Sequence, residues 1–123
     1  MLALLIRSPW IEKVLAGRKT WEIRGSNTNI RGRIGLIQSG SGLIVGTCDL
    51  VGAEGPLSLA ELRRNVSKHK IPLSELQGRL PYKKTFAWVL RDAKPLRKPV
   101  PYKHPPGAII WVKLAESVSR RIK

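Results

Sequence analysis

Eleven glycines and nine prolines, spread along 123 residues, set the tightest limit on what this chain can fold into. Glycine favours turn backbone that other residues avoid, and proline removes a backbone donor, so the expected elements are short and joined by turns. Between the breaks lie apolar runs of strand length, such as Leu2–Ile6 and Leu43–Val45. A chain of 123 residues supports one hydrophobic core and is too short for two ordinary domains. The same runs fall far below the ~20 apolar residues of a membrane-spanning helix, and no charged segment precedes the first. The expectation is a soluble, cytoplasmic monomer with no membrane partner.

Leu2–Arg7 reads as a buried strand that feeds a helix at Ser8-Pro9. Ser8 can cap that helix, Pro9 suits its first position, and Glu12 lies near the positive end of its dipole. Ile11, Val14 and Leu15 form its apolar stripe, and Gly17 supplies the left-handed residue that ends it after about two turns. Thr20–Arg24 then alternates, with Trp21 and Ile23 on one face and Thr20, Glu22 and Arg24 on the other, as in a half-buried strand. Ile34–Gln38 and Leu43–Val51 flank a Ser-Gly turn and read as a hairpin.

Ser58 and Glu61 have the spacing of a capping box, which predicts a helix over Leu59–Ser67. Residues 68–81 are basic and loop-like. Thr85–Leu90 and Ile109–Leu114 are the last strong strands, separated by a Pro- and Lys-rich stretch that holds only short extended pieces. The expected architecture is α+β: a small, partly open β-barrel of five to six strands with two short helices, over residues 1–115, and a basic tail over 116–123. Cys48, the single cysteine, lacks a Cys or His partner at metal spacing and reads as core filler. No metal site or cofactor is expected.

Net charge is the most informative number. The chain carries +15, which makes a polyanion the first partner to consider. Residues 62–123 hold 16 basic and 3 acidic side chains, so the field belongs to the second half. No basic helix with a continuous apolar face is present to favour a membrane surface instead.

Lys19, Glu22 and Arg24 place both signs of charge at a helix-to-strand junction. Two apart on a strand, Glu22 and Arg24 project about 7 Å apart from one face, so a ligand between them would meet an acceptor and a guanidinium fork. Lys19 breaks the alternation and must bend to the rim. From spacing alone the segment reads first as a solvated strand face with a weak ion pair. Trp21 and Trp111 lie in alternating strands and read as core, whereas Trp10 and Trp88 are the candidates to line a cleft and stack on a base. In Lys94–His104, prolines hold an extended backbone from which Tyr102, Lys103 and their basic neighbours can meet phosphates. His104 reads as a hydrogen-bonding loop residue, and His69 has no stronger claim.

Gly17-x-Lys19-x-x-Glu22-x-Arg24 resembles the signature of ASCH domains in the PUA-like superfamily. Pro9-Trp10, Arg31-Gly32, Gly42–Gly46, Ala87-Trp88 and Gly107–Val112 resemble the same family in its order, so the resemblance spans residues 2–114. It implies a β-barrel with a cleft beside the first helix that binds RNA or a nucleotide. Lys19, Arg24 and Arg31 would meet phosphate or base, with Glu22, Trp10, Trp88, Tyr102 and Lys103 as further contacts. The second class of function is hydrolysis of RNA or of a modified nucleoside. Some ASCH proteins are amidohydrolases on N4-acetylcytidine that use a lysine, a threonine nucleophile and a glutamate. Lys19 matches the lysine, but Glu22 stands where the threonine would, and His69 falls near the glutamate. Only Lys19 and Glu22 would then remain as an acid/base pair. A protein-interaction module is the third class, and it requires an exposed apolar patch.

Overall fold

A computed structural model describes residues 1–122. Among them, six strands form one curled half-barrel sheet in the order β2-β5-β4-β3-β1-β6. The strands are β1 (Leu2–Ile6), β2 (Trp21–Arg24), β3 (Gly32–Gln38), β4 (Leu43–Glu54), β5 (Phe86–Pro101) and β6 (Trp111–Lys113). The helices are α1 (Trp10–Leu15), α2 (Leu59–Arg64), α3 (Val66–His69), α4 (Leu73–Leu76) and α5 (Glu116–Ile122). Only β1 and β3 run parallel; the other neighbours are antiparallel.

The unbroken apolar run of β1 follows from burial on both faces. Leu4 and Ile6 point into the barrel, where α1 contributes Ile11 and Val14 to the same core. Ala3 and Leu5 point outwards, under a second core that α5 closes with Ile122. Trp21, Ile23 and Ala87 pack against Leu57, Leu62 and Leu76 beneath α2 and α4. Cys48 is buried in the inner core, as its apolar context predicts.

The helices and the chain's second half depart from the expected pattern. Among the described residues five short helices are present rather than two, because residues 68–81 are not a plain loop: His69 ends α3 and Leu76 ends α4, both buried. The helix expected over Leu59–Ser67 has its capping box, with Ser58 Oγ accepting from Glu61 N–H at 3.1 Å and Glu61 accepting from Ser58 N–H at 3.0 Å. It breaks at Asn65, whose side-chain amide donates to the Glu61 carbonyl instead. The Pro- and Lys-rich stretch continues β5 to Pro101, since Pro95 and Pro101 pair with Gly46 and Leu43 around register shifts that spare the missing donors. The segment read as a basic tail forms α5, anchored by Ile122; Lys123 lies outside the described residues. Ser8 is not a backbone cap, because its hydroxyl donates to the Glu12 carboxylate.

Candidate functional site

A cleft of about 890 Å³ opens where β1 ends, α1 begins and the chain enters β2. Lys19, Glu22, Arg24 and Trp10 all line it, so the fold brings together four of the residues expected at a site. Gly17, with φ +76°, makes this possible: it stops α1 in the left-handed region and turns the chain into β2. Glu22 and Arg24 pair with Trp88 and Phe86 of β5, which sets both side chains on the cleft face.

These three charged residues are not a solvated strand face. Lys19 is 3% exposed and Glu22 7%. Lys19 Nζ donates to the His69 carbonyl at 2.6 Å, lies 3.7 Å from Glu22 Oε1 and sits 5.0 Å from the centre of the Trp10 ring. Arg24 holds Glu22 Oε2 with Nε and Nη2 at 3.1 and 2.7 Å. Nη2 also donates to the Leu5 carbonyl at 2.7 Å, tying β2 to β1. Glu22 Oε1 is thereby left in an ion pair with Lys19 at 3.7 Å, beyond hydrogen-bond distance. Burial pulls the Lys19 ammonium down to about 8, against the upward pull of the Glu22 carboxylate.

His69 is the residue that sequence reasoning undervalues. It is fully buried. Nδ1 accepts from Ile71 N–H at 2.9 Å, and Nε2, which must then carry the hydrogen, donates to the Leu62 carbonyl at 2.7 Å. Burial, foremost, holds its pKa below the usual histidine value. The neutral ring thus pins α2 to the start of the next segment, while the backbone carbonyl of the same residue orients Lys19. No sequence signal marks this role, because the partners are backbone groups.

Trp88 is corrected from cleft to core: it is 1% exposed. Trp111 stacks on it, with ring centroids 5.7 Å apart, its indole N–H donates to the Ser26 carbonyl at 2.9 Å, and Arg24 covers it at 5.5 Å from the ring centre. It supports Arg24 and offers no face to a base. Arg31 lies outside the cleft, its guanidinium donating to the carbonyls of Thr28 and Ile30 in its own loop. Tyr102 and Lys103 also lie outside it. The Tyr102 hydroxyl donates to His104 Nδ1 at 2.8 Å, and His104 Nε2 donates to the Ala108 carbonyl at 2.9 Å, so the pair fastens the loop before β6.

The cleft also gathers residues that the sequence does not single out. Arg7, at the end of β1, and Arg79, after α4, add cations, and Tyr82 and Ile109 add apolar surface. Ile109 is 81% exposed, a large apolar side chain held at the rim. A basic residue directly before the Ser8-Pro9 turn is the one available signal, for Arg7.

A PUA-like half-barrel with a charged cleft beside its first helix is the class that fold and site define. The family model for the ASCH domain matches residues 4–100, and the chain belongs to that family. Its fold is similar to the crystal structure of ASCH from Zymomonas mobilis, with a TM-score of 0.75 and 15% identity over 98% of this chain and 91% of that one. A serine-to-alanine variant of that protein is similar at a TM-score of 0.72 and 16% identity, covering 98% of this chain and 92% of the other. A tyrosine-to-phenylalanine variant gives 0.72 and 15%, covering 98% and 94%. No curated protein sequence matches the chain significantly.

Proposed function

We propose that the protein binds RNA and takes one nucleotide into the cleft at Lys19, Glu22 and Arg24. The observation that carries this reading is a buried ammonium beside a buried carboxylate whose Oε1 is ion-paired at 3.7 Å but not hydrogen-bonded, in a cleft large enough for a nucleotide. Glu22 Oε1 would accept from a base or ribose donor. Lys19, Arg7 and Arg79 would meet phosphate, and Trp10, which is half-buried, would offer its ring to a base. Family membership supports the reading, and so does the basic second half of the chain, where most side chains between Arg91 and Lys103 of β5 and the following loop are exposed. The basic residues among them, Lys103 included, would supply phosphate contacts outside the cleft, whereas the Tyr102 hydroxyl hydrogen is committed to His104.

A second reading, hydrolysis of RNA or of a modified nucleoside, is favoured by one observation. An amine pulled down to about 8 beside a carboxylate is suited to proton transfer near neutral pH. His69 can take no part in it, since both ring nitrogens are engaged inside the wall. The deciding experiment maps nucleosides, nucleotides and single-stranded oligoribonucleotides onto the amide and indole NMR signals. Saturable shifts of Trp10 and Lys19 with oligoribonucleotide, without turnover, are expected. Saturation by N4-acetylcytidine with release of acetate, abolished in Lys19→Ala, would establish the hydrolase instead.

A further inference from the structure

The opposite end of β1 holds a second cavity, and its walls come from an irregularity in β5. Gly46 faces Pro95 and Ile44 faces Val100, so residues 96–99 stand opposite Val45 alone. Pro95 and Pro99 have no N–H to give a ladder, and the surplus chain arches off the sheet as an enlarged bulge. Leu96 packs onto the outer core, while Lys94, Arg97 and Lys98 are exposed.

Under the arch lies a cavity of about 590 Å³. Its polar wall is Arg33, Thr47, Lys94 and Arg97, and its apolar wall is Met1, Pro95, Leu96 and Ile122. Arg33 is held in place: Nη1 donates to Asp49 Oδ1 at 3.2 Å and to the Asp92 carbonyl at 2.8 Å, and Nη2 donates to Thr47 Oγ1 at 2.7 Å. Thr47 is buried and accepts from Arg33, which leaves its own hydroxyl hydrogen to donate. Neither Lys94 nor Arg97 has an ion-pair partner among the described residues. No carboxylate side chain lines the cavity among the described residues.

We propose that this cavity is a second nucleotide site, in which Lys94, Arg97 and the Thr47 hydroxyl, backed by Arg33, hold a phosphate group while the base lies on Leu96, Pro95 and Ile122. Two unpaired cations and a free hydroxyl donor suit the phosphate, and one apolar wall suits a flat ring. The site shares no lining residue with the cleft. Met1 and Arg7, which mark the two sites, stand roughly 20 Å apart at ~3.3 Å per residue of strand. One mononucleotide therefore cannot fill both, whereas a strand of several nucleotides can bridge them and gain from the linkage.

The test is an NMR titration of the full chain with AMP and, separately, with a single-stranded oligouridylate, in wild type, K94A/R97A and K19A. Saturable shifts of the Thr47 and Leu96 amides are expected in wild type and in K19A, with affinity at that site at least about tenfold weaker in K94A/R97A. Both replaced side chains are exposed, and unchanged shifts elsewhere will show that the variant is folded. Saturation by AMP would assign the site to a free nucleotide, and saturation by the oligonucleotide alone would assign it to a unit within a strand. No saturable shift at Thr47 with either probe, or equal affinity in K94A/R97A, overturns the site. Disappearance of the Thr47 shifts in K19A also overturns it, by showing that they report the cleft. Failure of the cleft reading leaves these signals untouched, so the two outcomes are separable.

Discussion

The two ends of β1 use charge in opposite ways. At the cleft, Lys19 and Glu22 are buried and Arg24 is half-buried, and the three are paired with one another and fixed by the carbonyls of His69 and Leu5. Under the β5 arch, Lys94 and Arg97 are exposed and have no carboxylate partner among the described residues. Buried, mutually held charges have fixed geometry and are suited to discrimination between ligands, whereas exposed cations attract any polyanion and do so less as salt rises. In the proposed function, the +15 net charge supplies attraction and the few paired charges of the cleft supply selectivity.

The cleft half of this contrast depends on a rigid backing. Trp88→Ala is expected to cost about 3–5 kcal/mol of stability, since the ring is fully packed between Arg24 and Trp111, and urea unfolding will measure it. A stable Trp88→Ala protein with weakened binding would return this residue to the ligand surface. His69→Ala is expected to lose about 2–4 kcal/mol by stranding the Leu62 carbonyl and the Ile71 N–H, in the same assay.

The pH dependence sharpens the same point. Because the His69 pKa is lowered on folding, the unfolded chain takes up a proton that the native one refuses. Stability is complete above the ordinary histidine value of about 6.5 and falls as pH drops below it, and His69→Gln should flatten that limb. Lys19, lowered to about 8 from 10.5, follows the same sign at a higher window: its contribution to stability rises with pH between about 8 and 10.5. Ligand binding runs the other way, because an anion needs the ammonium, so affinity should decline as pH rises through about 8 in wild type and not in Lys19→Ala.

Smaller effects belong to the exposed cations. Replacing Lys98 and Lys103 by Glu should leave thermal stability within about 0.5 kcal/mol. The slope of log affinity against log salt should fall by about 0.7 for each phosphate that these side chains no longer neutralise, read from fluorescence anisotropy at several salt concentrations. An unchanged slope would remove these residues from the RNA-binding surface.

The legible parts of this fold are those written in local patterns. The β1 run, the Gly17 stop, the Ser58–Glu61 box and the alternation of Thr20–Arg24 each map onto an element. The Lys19–Arg24 motif is visible because three of the cleft's charges come from six consecutive residues. What local pattern misses is non-local. Lys19 is buried by α3 and by Trp10 of α1, which spacing cannot foresee. Trp88 alternates in β5 as any half-buried strand residue would, and non-local contacts with Trp111 and Arg24 enclose it. Arg7 and Arg79 meet at the cleft from segments 72 residues apart, and α5 is stabilised by docking rather than by its composition. Prolines in β5 argue against a strand, yet register shifts place them where no donor is required.

The central claim, that the Lys19–Glu22–Arg24 cluster selects the ligand, is tested most directly by the affinity of Lys19→Ala for a single-stranded oligoribonucleotide at fixed, moderate salt. Removal of one charge-assisted hydrogen bond predicts binding about tenfold weaker, or ~1.4 kcal/mol, with the protein still folded. Affinity equal to wild type would show that RNA is held by the exposed cations alone and would contradict that claim.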